Sequence, residues 1–174
     1  MTDSENAISD LCVSCGMCCD GTLFGAAFVR DEADRIIAED LGLKILDIKG
    51  KLFFSLPCHH FSSCCSIYEK NRPQTCSSFF CPPIKRHNLN EQTFSETEKQ
   101  IKLLQENRDK LLTLASHFPD LQNLNFVDLR NKLEEFAEDD EKVSQYGMLF
   151  LTLFIFDDVR AKYFTPTKKD TLLV

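Results

Sequence analysis

The sequence predicts an α+β fold that is mainly α-helical, in which a cysteine-rich N-terminal region with a short β-hairpin precedes a three-helix C-terminal region. Two observations lead to this prediction. All nine cysteines lie between Cys12 and Cys81, and none follows. Apolar residues at helical spacing dominate the second part, whereas strand-like runs are confined to a short stretch of the first. We therefore expect two domains, residues 1–88 and residues 89–174.

Two short elements are predicted between the cysteine groups. Apolar residues at helical spacing indicate a helix over residues 31–41, and Gly42 is a typical helix terminator. Residues 45–48 and 52–56 are typical of two strands, and the turn between them contains Gly50. Neither element supplies a large apolar core. We therefore expect the N-terminal half to fold only around a bound metal.

Three helices are predicted in the C-terminal half, after a break at Pro82-Pro83. Ser95 and Glu98 fit a capping box that starts the first helix, and Pro119 ends it. A second apolar stripe runs from Phe126 to Phe136, and the acidic residues 134–141 are expected to be exposed. The third helix, residues 141–164, is apolar nearly all round its middle, which predicts a central core helix.

Composition excludes several classes of function. The net charge of −7 argues against a nucleic-acid binder, whose affinity comes from neutralised phosphates. The longest uncharged stretch of the C-terminal half, residues 143–156, is shorter than the roughly 20 apolar residues of a membrane-spanning helix. The first ten residues lack the pattern of a secretory signal, so a cytoplasmic location is expected. Disulfides do not persist in that compartment, so we interpret the thiols as metal ligands or redox groups.

The first cysteine group is Cys12-x2-Cys15-Gly16-x-Cys18-Cys19. Two residues between cysteines allow a tight loop to direct both sulfurs to one ion, as in zinc and iron–sulfur loops. Consecutive side chains diverge, so Cys18 and Cys19 are not expected to bind the same tetrahedral ion. Cys19 then reaches a second metal, bridges two metals, or stays free.

The second group contains four further candidate ligands, Cys58, Cys65, Cys76 and Cys81. Cys64 is expected to be a thiol that does not bind the metal. His59 and His60 follow a candidate ligand and could replace a thiolate, although neighbouring surface histidines are common. Either each cysteine group forms its own site, or ligands from both groups share metals; the divergence of Cys19 from Cys18 favours sharing.

This series of residues resembles the YkgJ-like cysteine-cluster family, whose members are described as zinc- or iron-chelating domains with a C-x2-C-x2-C-C signature. The resemblance covers about residues 10–83. It implies a metal-binding domain with eight ligands, and similar domains accompany flagellin lysine N-methylases. Cys64 and the His59-His60 pair depart from the family pattern. The residues that carry the resemblance are Cys12-x2-Cys15-Gly16-x-Cys18-Cys19, Phe28-x2-Asp31-x3-Arg35-Ile36, Leu41-Gly42, Cys58, and Cys65-x-Ile67-Tyr68-x3-Arg72-Pro73-x2-Cys76-x2-Phe79-x-Cys81.

The predicted function is binding of zinc or an iron–sulfur cluster, with a slight preference for iron–sulfur because the spacing of the first group and Cys81-Pro82 is similar to ferredoxin loops. An alternative is a metal- or cluster-dependent enzyme, redox or protein-modifying. No phosphate loop, nucleophile elbow or methyl-donor motif supports catalysis without the metal. Tyr68 and Arg72 are expected to support the ligands, and the helical region to dock a protein partner. Four cations could offset the charge of the site: Arg35, Lys70, Arg72 and Lys85.

Overall fold

The computed structural model describes residues 3–166 and divides into two compact units, Met1–Phe79 and Phe80–Val174. The structure is 54% helix and 9% strand, so the predicted α+β, mainly helical class is confirmed. The second unit begins before the boundary expected after residue 88, because the helix that contains this residue packs against the later helices.

The first unit combines three helices with a small antiparallel sheet. The predicted hairpin is confirmed, and its turn has left-handed backbone at Lys49 and Gly50, which matches a two-residue hairpin loop. A third strand, absent from the sequence predictions, pairs with the other side of the hairpin's second strand, so the sheet order is β1-β3-β2. The elements are α1 (Asp3–Cys15), β1 (Ala26–Phe28), α2 (Glu32–Asp40), β2 (Ile45–Ile48), β3 (Lys51–Ser55) and α3 (Gln74–Ser78).

The predicted helix after the first cysteine group is confirmed as α2. The Asp31 carboxylate accepts a hydrogen bond from the amide of Asp34 at its start, and Gly42 follows its end with φ of +69°. The sequence predicts that Ala33, Ile36, Ile37 and Leu41 form the apolar stripe of this helix. This prediction is wrong in part, since Ile36 is exposed while Asp34 and Ala38 are buried. Ala38 faces the sheet, and Asp34 binds backbone amides, as described below.

An apolar core lies between α2 and the sheet. Its members are Val29, Ala38, Leu43, Phe54 and Leu56, and the half-buried Cys58 packs against them. The premise that this half has no apolar core of its own is therefore wrong. Burial of one such side chain contributes about 1.5–3 kcal/mol, so the sheet and α2 have a source of stability that is independent of any thiol.

The second unit is helical throughout its described elements. Pro82 and Pro83 begin a helix rather than break the chain, because the first turn of a helix needs no amide donor. The first two predicted helices are present in the structure. The third is divided into two helices, which meet at Tyr146 and Gly147. The elements are α4 (Pro82–Asn88), α5 (Phe94–Ala115), α6 (Phe126–Phe136), α7 (Asp140–Gln145) and α8 (Gly147–Phe164).

The start of α5 differs from the predicted capping box. Thr93 and Glu96 form the box, two residues before Ser95 and Glu98, although both pairs have the required spacing. The earlier start places Phe94 against the His87 ring at a centroid distance of 6.0 Å. It also buries Thr97, whose hydroxyl accepts a hydrogen bond from Gln92.

The prediction of α8 as a central core helix is wrong. One face is buried against the unit, with Leu149 and Phe156 fully inaccessible. The opposite face is open, with Phe154 70% and Met148 63% exposed and Leu151 beside them also exposed. Within residues 3–166, no helix has the length and apolar character required to cross a membrane.

The two faces of α8 should differ sharply in their response to truncation. Phe156 is fully buried and contacts Phe126 at a ring-centroid distance of 4.8 Å. We expect Phe156→Ala to lower the free energy of unfolding by about 3–5 kcal/mol. The matched control, Phe154→Ala on the exposed face, should change it by less than about 0.5 kcal/mol. Chemical denaturation followed by circular dichroism measures both, and equal losses would contradict the assignment of the two faces.

Candidate functional site

Four thiols from both cysteine groups come together in the first unit. Cys19, Cys58, Cys65 and Cys76 each interact electrostatically with the other three. We call them the four-thiol group. Cys19 belongs to the first sequence cluster and the other three to the second, so the structure brings together residues that α2 and the hairpin separate in sequence.

The loop that carries Cys19 depends on Gly16. Cys12 and Cys15 lie at the end of α1, and Gly16 follows with φ of +62°. Its carbonyl accepts hydrogen bonds from the amides of Cys19 and Asp20 at 2.7 and 2.9 Å, which reverses the chain. The Phe61 ring covers this glycine so closely that a Cβ there would lie 1.7 Å from the ring.

The loop that carries Cys58 and Cys65 is joined directly to the Cys19 loop. The Cys58 amide donates a hydrogen bond to the Cys19 carbonyl at 2.7 Å. A bridge between Phe61 and Cys65 closes the loop and sets its two cysteines near each other. The backbone amides of His60 and Phe61 donate hydrogen bonds to the Cys58 sulfur, which lowers its pKa against the larger effect of burial. Such donors stabilise a thiolate more than a neutral thiol.

Cys76 is positioned through the buried carboxylate of Asp34. One Asp34 oxygen accepts from the amide of Gln74, the first residue of α3, at 2.6 Å, and the other accepts from the amide of Arg30 at 3.2 Å. The Thr75 hydroxyl donates to the carbonyl of Phe28 at 2.6 Å. The bonds from Gln74 and Thr75 fix α3, and with it Cys76, against α2 and β1.

The electrostatics of the four-thiol group oppose ionisation when no cation is present. Burial, followed by the neighbouring thiols, raises the pKa of Cys19 to about 12. The same two causes raise the pKa of Cys76 to about 11, even though much of that residue's surface is open to solvent. A catalytic or redox cysteine needs the opposite environment, in which the thiolate forms near neutral pH. A bound cation reverses the balance, because it neutralises the thiolates that would otherwise repel each other.

Cys12 and Cys15 form a separate pair. Burial and the neighbouring Cys15 raise the pKa of Cys12 to about 11, while the charge of Arg72 lowers it. The Arg72 guanidinium lies over the Tyr68 ring, 4.0 Å from its centroid. The Tyr68 hydroxyl is hydrogen-bonded to the Ser9 hydroxyl on α1.

The remaining candidate residues occupy different places. Cys18 is half-buried in the turn after α1, and Cys64 is exposed beside Cys65. Cys81 is buried at the start of α4 and belongs to the second unit. His60 Nε2 lies 2.9 Å from the Leu41 carbonyl oxygen, to which it donates a hydrogen bond, so this nitrogen is engaged with backbone. His59 is exposed next to it, with ring centroids 4.1 Å apart.

The donor chemistry of the four-thiol group suits a thiophilic metal, since four cysteine sulfurs are the ligand set of structural zinc and of iron–sulfur clusters. Among residues 3–166, no group of three or more cysteine, histidine or acidic side chains is already arranged to hold a metal ion. In donor chemistry, the four cysteines therefore fit a thiophilic metal.

The sequence pattern predicts no role for Asp34 beyond a favourable interaction of its carboxylate with the helix dipole at the start of α2. A polar residue in line with Ala38 on the face of α2 that meets the sheet is the signal that could have identified it. The pattern also misses Phe61 as the partner of Gly16. Nothing in the local sequence pattern connects those two residues.

Comparisons of the chain with family models, with curated proteins and with solved structures found no match. The resemblance of residues 10–83 to the cysteine-cluster family therefore stays a prediction from its motifs.

Gly16 offers a direct test of the loop geometry. Gly16→Ala combines left-handed backbone strain of about 1–2 kcal/mol with the overpacking against Phe61, about 1–3 kcal/mol more. Gly50→Ala is the matched control, because Gly50 has φ of +77° and open space around its Cα. We expect the Gly16 variant to lose more stability in thermal unfolding than the control does. Adding Phe61→Ala should remove the clash and reduce this difference, and no reduction would contradict the contact.

Proposed function

We propose that this chain is a cytoplasmic metal-binding protein that holds zinc or an iron–sulfur cluster through cysteine thiolates. Cys19, Cys58, Cys65 and Cys76 are the ligands of one site in this proposal. The electrostatic interaction of each of these four thiols with the other three, although they come from both sequence clusters, is the observation that carries it. The amides that donate to the Cys58 sulfur support the same conclusion, because they favour the charged form that a metal requires.

The raised pKa values argue against nucleophilic cysteine chemistry. A nucleophilic or redox role would require a thiolate at neutral pH, and burial with like-charged neighbours works against one. A divalent cation or cluster compensates the accumulated negative charge and displaces the thiol protons. The alternative, a metal-dependent redox or protein-modifying enzyme, needs a reducible cluster or an open coordination position in addition.

The choice between zinc and an iron–sulfur cluster rests on the spacing of the first cysteine group and on Cys81-Pro82, which slightly favour an iron–sulfur cluster. Four further cysteines remain predicted metal ligands: Cys12, Cys15, Cys18 and Cys81.

A protein partner that docks on the helical region is part of the proposal, and the exposed face of α8 adds apolar surface to that region. The reducing cytoplasm would keep the thiols available.

Purification without oxygen, followed by metal and labile-sulfide analysis, tests the proposal. We expect bound zinc without sulfide, or iron with sulfide and a visible absorption that dithionite bleaches. The bleaching would favour redox or enzymatic work, whereas a colourless zinc protein would favour a binding or structural role. Protein that carries no stoichiometric metal and takes up neither zinc nor a reconstituted cluster would overturn the proposal.

Adjacent cysteines provide a matched pair for ligand assignment. Cys65 interacts with Cys19, Cys58 and Cys76, whereas its neighbour Cys64 is exposed. We expect Cys65→Ser to lose the metal of the four-thiol group, because one of four ligands is removed, and Cys64→Ser to retain the parent metal content. The metal-to-protein ratios of the parent and both variants, measured side by side, test this expectation. Equal loss in both variants, or retention in both, would remove Cys65 from the ligand set.

A further inference from the structure

We propose that a second copy of this chain is the partner of the helical region, and that the two copies pair their α8 helices antiparallel through the exposed face. The inference rests on the part of the proposed function in which a protein docks on this region, and it names that protein. It does not depend on metal binding. The exposed side chains that carry it, which we call the α8 stripe, are Met148, Leu151, Phe154, Ile155 and Asp158.

The α8 stripe has the spacing of a helix-pairing surface. Its line of side chains at intervals of three, four and three residues is Met148, Leu151, Ile155 and Asp158. This alternation keeps side chains along one seam that faces a second helix, as in coiled coils. Phe154 lies beside the seam and is the most exposed large apolar side chain of the described residues. The stripe therefore presents three apolar positions and a flanking ring to a partner helix.

The four apolar side chains of the stripe form a patch. They lie on two turns of one helix, and each is at least 44% exposed. Single exposed apolar residues are common on protein surfaces, whereas a contiguous group marks an interaction site. Phenylalanine and methionine are also enriched in protein interfaces. Composition and placement therefore both favour a protein partner at this face.

Charge determines the direction of pairing. Asp158 is exposed and has no ion-pair partner within residues 3–166, whereas the Asp157 carboxylate is held by Arg130 at 2.8 Å. In a parallel pair, the two Asp158 carboxylates would face each other across the seam. Like charges in an interface repel, so the parallel arrangement is disfavoured.

An antiparallel pair matches the stripe to itself. When the two-fold axis lies between Leu151 and Ile155, Leu151 of each copy faces Ile155 of the other. The same register places Asp158 of each copy opposite Met148 of the other, in the first turn of its α8. The two Phe154 rings come close to the axis. The interface is then isologous, since both copies use the same residues.

The first turn of α8 is suited to receive this carboxylate. Tyr146 occupies the N-cap position, but its side chain does not cap the helix, and its hydroxyl donates a hydrogen bond to Asp120 at 2.6 Å instead. The turn has no acidic residue of its own. A Cβ at Gly147 would meet no other described segment within 4 Å, so the space beside this end is open. The partial positive charge of a helix N-terminus favours a nearby carboxylate, which Asp158 of the other copy supplies.

A contact between two single helices is small, so we expect weak association. Standard stable interfaces bury about 1,600 Å² in total, and smaller ones are typical of weak complexes. We expect a dissociation constant of the order of 10–100 µM. At about 2 µM the chain is then mostly monomeric, so the unfolding of the Phe154→Ala and Phe156→Ala variants is compared at that concentration.

Sedimentation equilibrium of the full chain, as purified and under reducing conditions, tests the pairing over about 2–500 µM, a range that spans the expected dissociation constant. The apparent mass should rise from that of one chain toward that of two. Phe154→Glu should weaken association about tenfold or more, because it brings two carboxylates together in an apolar contact. The matched control is Ile36→Glu, at a 48% exposed position on α2. It should change the dissociation constant less than about twofold.

Asp158→Asn tests the direction of pairing, because the two arrangements predict opposite changes. An antiparallel pair should weaken about three- to tenfold, since each dimer loses two contacts between a carboxylate and a helix N-terminus. A parallel pair should tighten, because the repulsion between the two carboxylates is removed. Unchanged or tighter association would overturn the antiparallel arrangement.

The outcomes also separate this inference from metal binding. A parent that stays monomeric over the whole range would leave the stripe to a different protein and overturn the inference. A parent dimer that Phe154→Glu does not weaken would overturn it too. Circular dichroism reports on folding, and Met148→Glu, with the same expectation, decides if Phe154→Glu does not fold. Metal content is measured on the same preparations, so a monomer that holds metal contradicts only the pairing, and a metal-free dimer contradicts only the metal site.

Discussion

The hydrogen bond from the Cys58 amide to the Cys19 carbonyl is the constraint on which the site depends. It joins two loops that are distant in sequence, and each loop is then shaped by one aromatic ring, since Phe61 covers Gly16 and pairs with Cys65. This backbone bond sets the approach of the two cysteine loops without using any sulfur. The thiols are consequently gathered by the fold itself, and the negative charge that they would develop is a cost the fold imposes before any metal binds.

Groups near the sulfurs favour the charged thiolates and so reduce the cost of ionising them. The amides of His60 and Phe61 donate to one sulfur, and Arg72 acts on Cys12 and Cys76. Both contributions are smaller than the effect of burial, since the pKa of each of these thiols remains raised. A site of this kind is poorly suited to a free thiolate and well suited to a cation, because a multivalent ion acts on all the sulfurs at once.

Elements governed by local chemistry could be predicted from the sequence, whereas those governed by long-range contacts could not. The hairpin and α2 follow from Gly50, Asp31 and Gly42, whose effects are local. The start of α5 is ambiguous because two Thr or Ser and Glu pairs have capping spacing, and packing of Phe94 decides between them. Hydropathy alone predicts that α8 is apolar, but it does not predict which face of the helix packs against the rest of the unit. At the site, the local sequence predicts that the side chains of Cys18 and Cys19 diverge. It does not predict the three partners of Cys19, because these depend on loop conformations that no periodicity encodes.

The apolar core changes what metal binding would do to the protein. Phe54 and Leu56 are buried with Ala38, so the sheet and α2 have packing of their own, and Cys58 lies at the border of this core. The cysteine loops, by contrast, are held by individual hydrogen bonds, each worth about 0.5–1.5 kcal/mol net. Loops on a preformed core can tighten around an ion while the core stays packed. Coupling between binding and order is then local to the loops, in contrast to small zinc domains that are unfolded without their metal.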